Sequence, residues 1–316
     1  AILSGYVVPL GNFTPQQLFI IYLAGNALEI LIGYLLFVVA YFCKSPPVVA
    51  TLVYLGIWSI ASSAIFYTLM SLIGLYGDWI NIYTAPLPLW VGVTGVCHAF
   101  IAGSIIYMLK GRAPRLWFLR KTRPDWAESF DRLDAEVEET ATHENLLRLA
   151  WLYYEGSLDD MAKEELDRSV ELNKNDPEPF MLYGWLAFNK SKLDDAERFF
   201  MQVVNHITSN PTQKARAYMA IADCELARLS RASGNRIDPK QAYTEALKAY
   251  TAASEADLHL GDPRFYRAIM LNKLNLFDEA AQELQALDGY VWLDQTLLAR
   301  VPEQMQIAIK QTPAKQ

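Results

Sequence analysis

Four side chains carry the polar chemistry of a first third that is otherwise almost without charge: Asn26, Glu29, Asp78 and His98. From Ala1 to Leu109 the only formal charges are Glu29, Lys44 and Asp78. A carboxylate, carboxamide or imidazole inside lipid is costly, so each marks a site by default: a tie between helices, a proton relay or a ligand. Asn26 and Glu29 stand three apart and share one helical face. With Ser59, Ser62, Ser63 and His98 as the available partners, an interhelical hydrogen bond is the expected role, and no second acid accompanies Glu29 to make a relay. Asp78, in a Gly-Asp turn, is expected to cap a helix or sit in an interfacial loop.

The elements that must position these groups are apolar. A stretch so poor in charge cannot be a soluble domain, which puts about a quarter of its residues into charge. Residues 18–42, 48–75 and 87–109 are each long enough to cross a hydrocarbon core, which needs about 20 helical residues. Cys43 to Pro47 and Tyr76 to Pro88 break the runs, because proline bars helix continuation. Lys110, Arg112, Arg115, Arg120, Lys121 and Arg123 follow the third stretch directly, a bias that marks the cytoplasmic side. The same six cations are expected on the membrane surface, where anionic lipid rewards each by about 1 kcal/mol. Trp79, Tyr83, Trp90, Tyr107 and Trp117 fit interfacial aromatic belts, and Gly25, Gly33, Gly92 and Gly95 fit close helix packing. Residues 1–109 are thus expected to form a three-span domain, with 110–142 a basic juxtamembrane segment and linker helix.

Beyond it the chain repeats. Leu146, Leu149, Ala150 and Tyr153 precede Ala162, Leu166 and Ser169; Phe180, Tyr183, Gly184 and Ala187 precede Ala196, Phe200 and Val203 at a spacing of 34. Ala246, Tyr250 and Ala253 stand 34 residues before Ala280, Leu284 and Leu287. The third unit is stretched by Ser230 to Pro239, a loop or helix extension. This pattern resembles the tetratricopeptide (TPR) family over residues 143–290, with 291–316 a capping helix and tail. The expected fold class is therefore all-α, a three-span transmembrane helical domain followed by a TPR α-solenoid. The resemblance implies a groove for a protein or peptide partner, with Tyr153, Phe180, Tyr183 and Ala187 as groove candidates. From Pro124 to Gln316 there are 21 basic and 33 acidic residues, which argues against nucleic acid.

A second resemblance lies in the first third. Gly5-Tyr6-Val7-Val8-Pro9-Leu10-Gly11, Leu23-Ala24-Gly25-Asn26 and Gly77-Asp78-Trp79 resemble the part of a site-2-protease-like intramembrane zinc metallopeptidase that follows its metal-binding helix. That likeness implies Asp78 as a zinc ligand. His98, His143, His206 and His259 form no His-Glu-x-x-His, so two ligands and the general base are missing from these residues. No cofactor is expected in this chain, and zinc enters only with such a helix upstream of Ala1. Cys43, Cys97 and Cys224 have no metal or redox spacing and are expected to be small buried residues. The leading expectation is a membrane-anchored TPR protein that recruits a partner at the cytoplasmic face of a bacterial inner membrane. Its rivals are a peptidase fragment and a structural subunit of a membrane complex.

Overall fold

The computed structural model describes residues 11–73, 77–231 and 238–311 and divides into two compact units, Ala1–Asp131 and Arg132–Gln316. Residues 5–10 of the glycine-containing stretch, the centre of the 230–239 insertion and the tail from 312 lie outside the described residues.

In the first unit, Thr14 opens α1 (Pro15–Phe42) with a reciprocal cap: its hydroxyl accepts the Gln17 N–H, and Gln17 Oε1 accepts the Thr14 N–H at 2.9 Å. Proline at the first helical position starts α2 (Pro46–Ala61), which continues through a π-helical turn, Ser62–Phe66, into α3 (Tyr67–Leu72). A short α4 (Asp78–Tyr83) precedes α5 (Pro88–Lys110) and α6 (Arg112–Thr122), and α7 (Pro124–Glu139) begins in this unit and ends in the second. Among the described residues three helices are long and apolar enough to cross a membrane: Pro15–Phe42, Pro46–Ser71 and Pro88–Lys110. Their outward faces stay apolar, and on α5 Phe100 is 76% exposed. Cys97 is exposed on the same helix and Cys43 is half-buried, so only Cys224 meets the expectation of burial.

The glycines divide in use. At the crossing of α1 and α2, a Cβ on Gly33 would stand 2.9 Å from the Gly56 carbonyl oxygen, and one on Gly56 equally close to the Gly33 oxygen. A Cβ on Gly25 or Gly92 would meet nothing within 4 Å, and one on Gly95 only Tyr83 at 3.9 Å. Close packing therefore explains Gly33 and not the other three. Gly33→Ala should lower stability in detergent by about 1 kcal/mol, the overpacking penalty less the gain in helix propensity. Gly25→Ala should not lower it. Equal melting temperatures for the two variants would show that the crossing tolerates a methyl.

The second unit is a stack of helix pairs. The pairs are α8 with α9 (His143–Glu155, Asp159–Leu172), α10 with α11 (Glu178–Asn189, Leu193–Asn205), α12 with α13 (Pro211–Arg231, Pro239–Ala256) and α14 with α15 (Gly261–Lys273, Phe277–Gln285). Each helix packs on the next, and α16 (Val301–Gln311) covers α14 and α15. The stack is an α-solenoid of helix pairs. The repeat alanines Ala162, Ala196, Ala246 and Ala280 are all fully buried at the helix crossings. In three of the pairs the tight turn is made by a left-handed residue, Ser157, Ser191 or Asn275, at φ of 57°, 60° and 63°. The stretched third pair takes up its extra length partly as helix, since α12 runs to Arg231.

Candidate functional site

The polar groups of the first unit gather around the π-helical turn. A π turn shifts the hydrogen-bond register and leaves backbone carbonyls to find other donors. Trp79 on α4 gives its indole N–H to the Ser63 carbonyl at 2.9 Å, and His98 on α5 sets Nε2 against the Ala64 carbonyl. The other imidazole nitrogen meets the Tyr83 hydroxyl at 2.8 Å. On α1, buried Asn26 accepts the Ser63 hydroxyl at 3.1 Å, while the Ser59 hydroxyl donates to the Glu29 carbonyl at 2.8 Å and the Ser62 hydroxyl to the Glu29 carboxylate at 3.1 Å. Asn26 and Glu29 are thus brought to one serine-rich stretch, whereas His98 is held apart by Tyr83 and Trp79. Trp79 is buried against the His98 ring at 4.6 Å, which corrects its assignment to an interfacial belt.

Asp78 begins α4, its backbone N–H donating to the Tyr67 hydroxyl at 3.2 Å, and burial pushes its carboxyl up. Zinc needs three protein ligands around an open position. Among the described residues no three His, Cys, Asp or Glu side chains converge, so the residues present do not fit that metal. The arrangement can tie α1, α2, α4 and α5 together.

The basic run is only partly on the surface. Lys121 donates to the Tyr41 carbonyl at 2.9 Å and so caps the C-terminus of α1, where a cation also suits the helix dipole. Arg120 pairs with Asp131 at 2.7 Å. Lys110, Arg112 and Arg123 are exposed, and Arg115 is half-buried.

In the second unit the four groove candidates do not form a groove. Tyr153 is fully buried and Ala187 is 9% exposed, both packed into the core. Tyr183 donates to Asp167 at 2.5 Å and stacks on Phe199, and Phe180 lines a separate cavity along α11 with Arg198, Met201 and His206. The physical reason is that the residues which repeat most regularly are those that hold the helices of the stack together. A cavity of about 240 Å³ runs along α10, α12 and α14, with Met181, Trp185, Met219, Asp223, Tyr266 and Leu293 among its walls. The sequence carried one signal for it: Trp151 and Trp185 stand 34 residues apart, off the pattern of core positions.

Sequence reasoning also missed a serine–histidine–aspartate contact. His143 Nδ1 lies 2.9 Å from the Ser169 hydroxyl, and Nε2 lies 2.6 Å from Asp176. The spacing suits a nucleophile and its base. Ser169 is fully buried, however, and its hydroxyl also lies 3.0 Å from the His143 carbonyl, so no substrate reaches it. Burial lowers the His143 value, but hydrogen bonds to Asp176 and Ser169 outweigh it and the net shift is upward. The trio ties α8 to α9 and to the loop before α10.

No family model matches this chain, and no curated protein matches it. Among solved structures, a chain in the crystal structure of the APC/C hetero-tetramer Cut9-Hcn1 is similar over 94% of this chain, at 15% identity and a TM-score of 0.39. This chain spans about half of that one, 49%.

Proposed function

We propose that this chain is a membrane-anchored docking protein, whose solenoid holds a protein partner in the groove along α10, α12 and α14. The observation that carries the reading is the groove itself, an aromatic and methionine-lined cavity bordered by the charged groups Arg216, Asp223 and Asp262. Such a mixture of apolar wall and few polar groups is what recognition of a side chain needs. The outward apolar faces of the three long helices support anchorage in a membrane. The cations after α5 support an orientation with the solenoid on the cytoplasmic side, as in a bacterial inner membrane.

The test is a photo-crosslinking residue placed at Met219 in the groove or at Arg198 on α11, outside it, irradiated in native membranes. A discrete adduct of defined mass is expected at Met219 and not at Arg198. Equal labelling at the two positions, or none, would remove the groove as the docking surface.

A second reading, a subunit of a membrane complex, is favoured by Glu29. It stands near the midpoint of α1 and is exposed, with the Ser62 hydroxyl on its carboxylate, whereas intramembrane acids face a bundle interior. The same photoprobe at exposed Leu28 should label a neighbouring membrane protein if this reading holds, and lipid alone if it does not.

A further inference from the structure

The groove contains one charged group that no cation in the chain neutralises among the described residues. Asp223 on α12 lines the cavity and accepts the Tyr250 hydroxyl on Oδ1 at 3.0 Å, with no hydrogen bond to Oδ2 among the described residues. The other charges that line the groove are committed elsewhere. Arg216 is held by Glu178 at 3.2 Å, and Asp262 accepts the backbone N–H groups of Leu293 and Asp294, both at 2.9 Å. Burial pushes the Asp223 carboxyl up to about 6, with the Tyr250 hydrogen bond opposing it, which is the condition of an acid that lacks a cation.

The apolar walls of the cavity include two unbranched and two aromatic side chains, Met181, Met219, Trp185 and Tyr266, beside Ala220 and Leu293. A lysine matches them group by group. Its methylene stem can lie along the methionines and the indole, and its ammonium is a point charge with three donors. An arginine matches less well, because its fork engages both oxygens of a carboxylate and Tyr250 already occupies one. The acidic excess of the chain after the basic run would also draw a basic segment toward the solenoid.

We propose that the groove along α10, α12 and α14 receives a lysine side chain of the partner protein, its ammonium on Asp223 and its stem between Met181, Met219 and Trp185. This rests on the docking reading above and adds the chemistry of what is docked.

The test uses the full chain in nanodiscs and pools of helical peptides with randomised flanks and one fixed central residue: lysine, arginine, norleucine or glutamate. The lysine pool should bind about tenfold or more tighter than the norleucine pool, as a desolvated charge-assisted hydrogen bond requires. Asp223→Asn should abolish that preference while leaving norleucine binding in place and the chain cooperatively folded, since asparagine can still accept the Tyr250 hydroxyl. Arginine or norleucine binding as tightly as lysine would overturn the proposal, as would a lysine preference that survives Asp223→Asn. Binding of no pool would overturn the docking reading itself, so the two failures are told apart.

Discussion

Phe200→Ala should destabilise the solenoid by about 4 kcal/mol, and Gly184→Ala, harmful alone, should recover part of that loss when the two are combined. Phe200 is fully buried where α11 crosses α10, in a cluster with Met181, Val203, Ala220 and Cys224. Its ring lies over Gly184, so a Cβ added there would stand 2.6 Å from Phe200 Cδ1 and 2.7 Å from Cζ. The 34-residue spacing pairs Gly184 with Ala150 and Phe200 with Leu166, so the second repeat has exchanged a methyl on one helix for a ring on the other. Gly184→Ala in the parent chain forces the ring to move, for about 2 kcal/mol net of the helix-propensity gain. In Phe200→Ala the same methyl enters the vacated volume, and only the propensity gain of about 1 kcal/mol remains. Denaturant melts of the four chains, followed by helical circular dichroism, would measure the coupling. If Gly184→Ala were equally destabilising in both backgrounds, the ring would not be the reason that glycine stands there.

That pair also shows what could be read in advance. The helices of both units follow from composition and period, because an apolar run of bilayer length and a doubled 34-residue repeat leave little else for the backbone to do. The repeat positions Ala162, Ala196, Ala246 and Ala280 were legible as crossings, since only small residues let helices approach. Side chains that serve a site rather than a crossing have no such period. Asp223, Trp185 and Tyr266 meet across three helices, and no spacing in one helix announces that meeting. A regular residue such as Tyr153 reads equally as packing or groove, because recurrence marks packing and binding alike in a single sequence, and burial shows it to be packing. The π-helical turn was equally silent: one extra residue in a helix leaves no signature beyond the Ser62-Ser63 pair, yet it frees the carbonyls that Trp79 and His98 answer. Glycine showed the same limit, for Gly33 and Gly25 read alike and only one lies against a second backbone.

Between pH 4 and 6 the solenoid should lose about 2 kcal/mol of stability through Asp223, and Asp223→Asn should remove that slope. Burial raises the carboxyl from its ordinary value of 3.8 to about 6, against the pull of the Tyr250 hydrogen bond. In that window the folded chain keeps a proton that the unfolded chain has released, so folding is favoured at the acid end and weakened as pH rises through the folded value. The groups that face it do not reverse the sign: Tyr250 and Tyr266 are neutral here with their hydroxyl values raised by burial, Arg216 is paired with Glu178, and Asp262 is held by two backbone N–H groups. His143 is shifted upward from 6.5, so its own stabilising charge is lost only above the window. The difference in melting temperature between the parent and Asp223→Asn, followed across pH, isolates the one group. Parallel profiles would mean that the carboxylate is solvated after all. A sloping difference that vanishes when a lysine-centred peptide is bound would join the two properties, since a cation on Asp223 restores the charged form that burial alone disfavours.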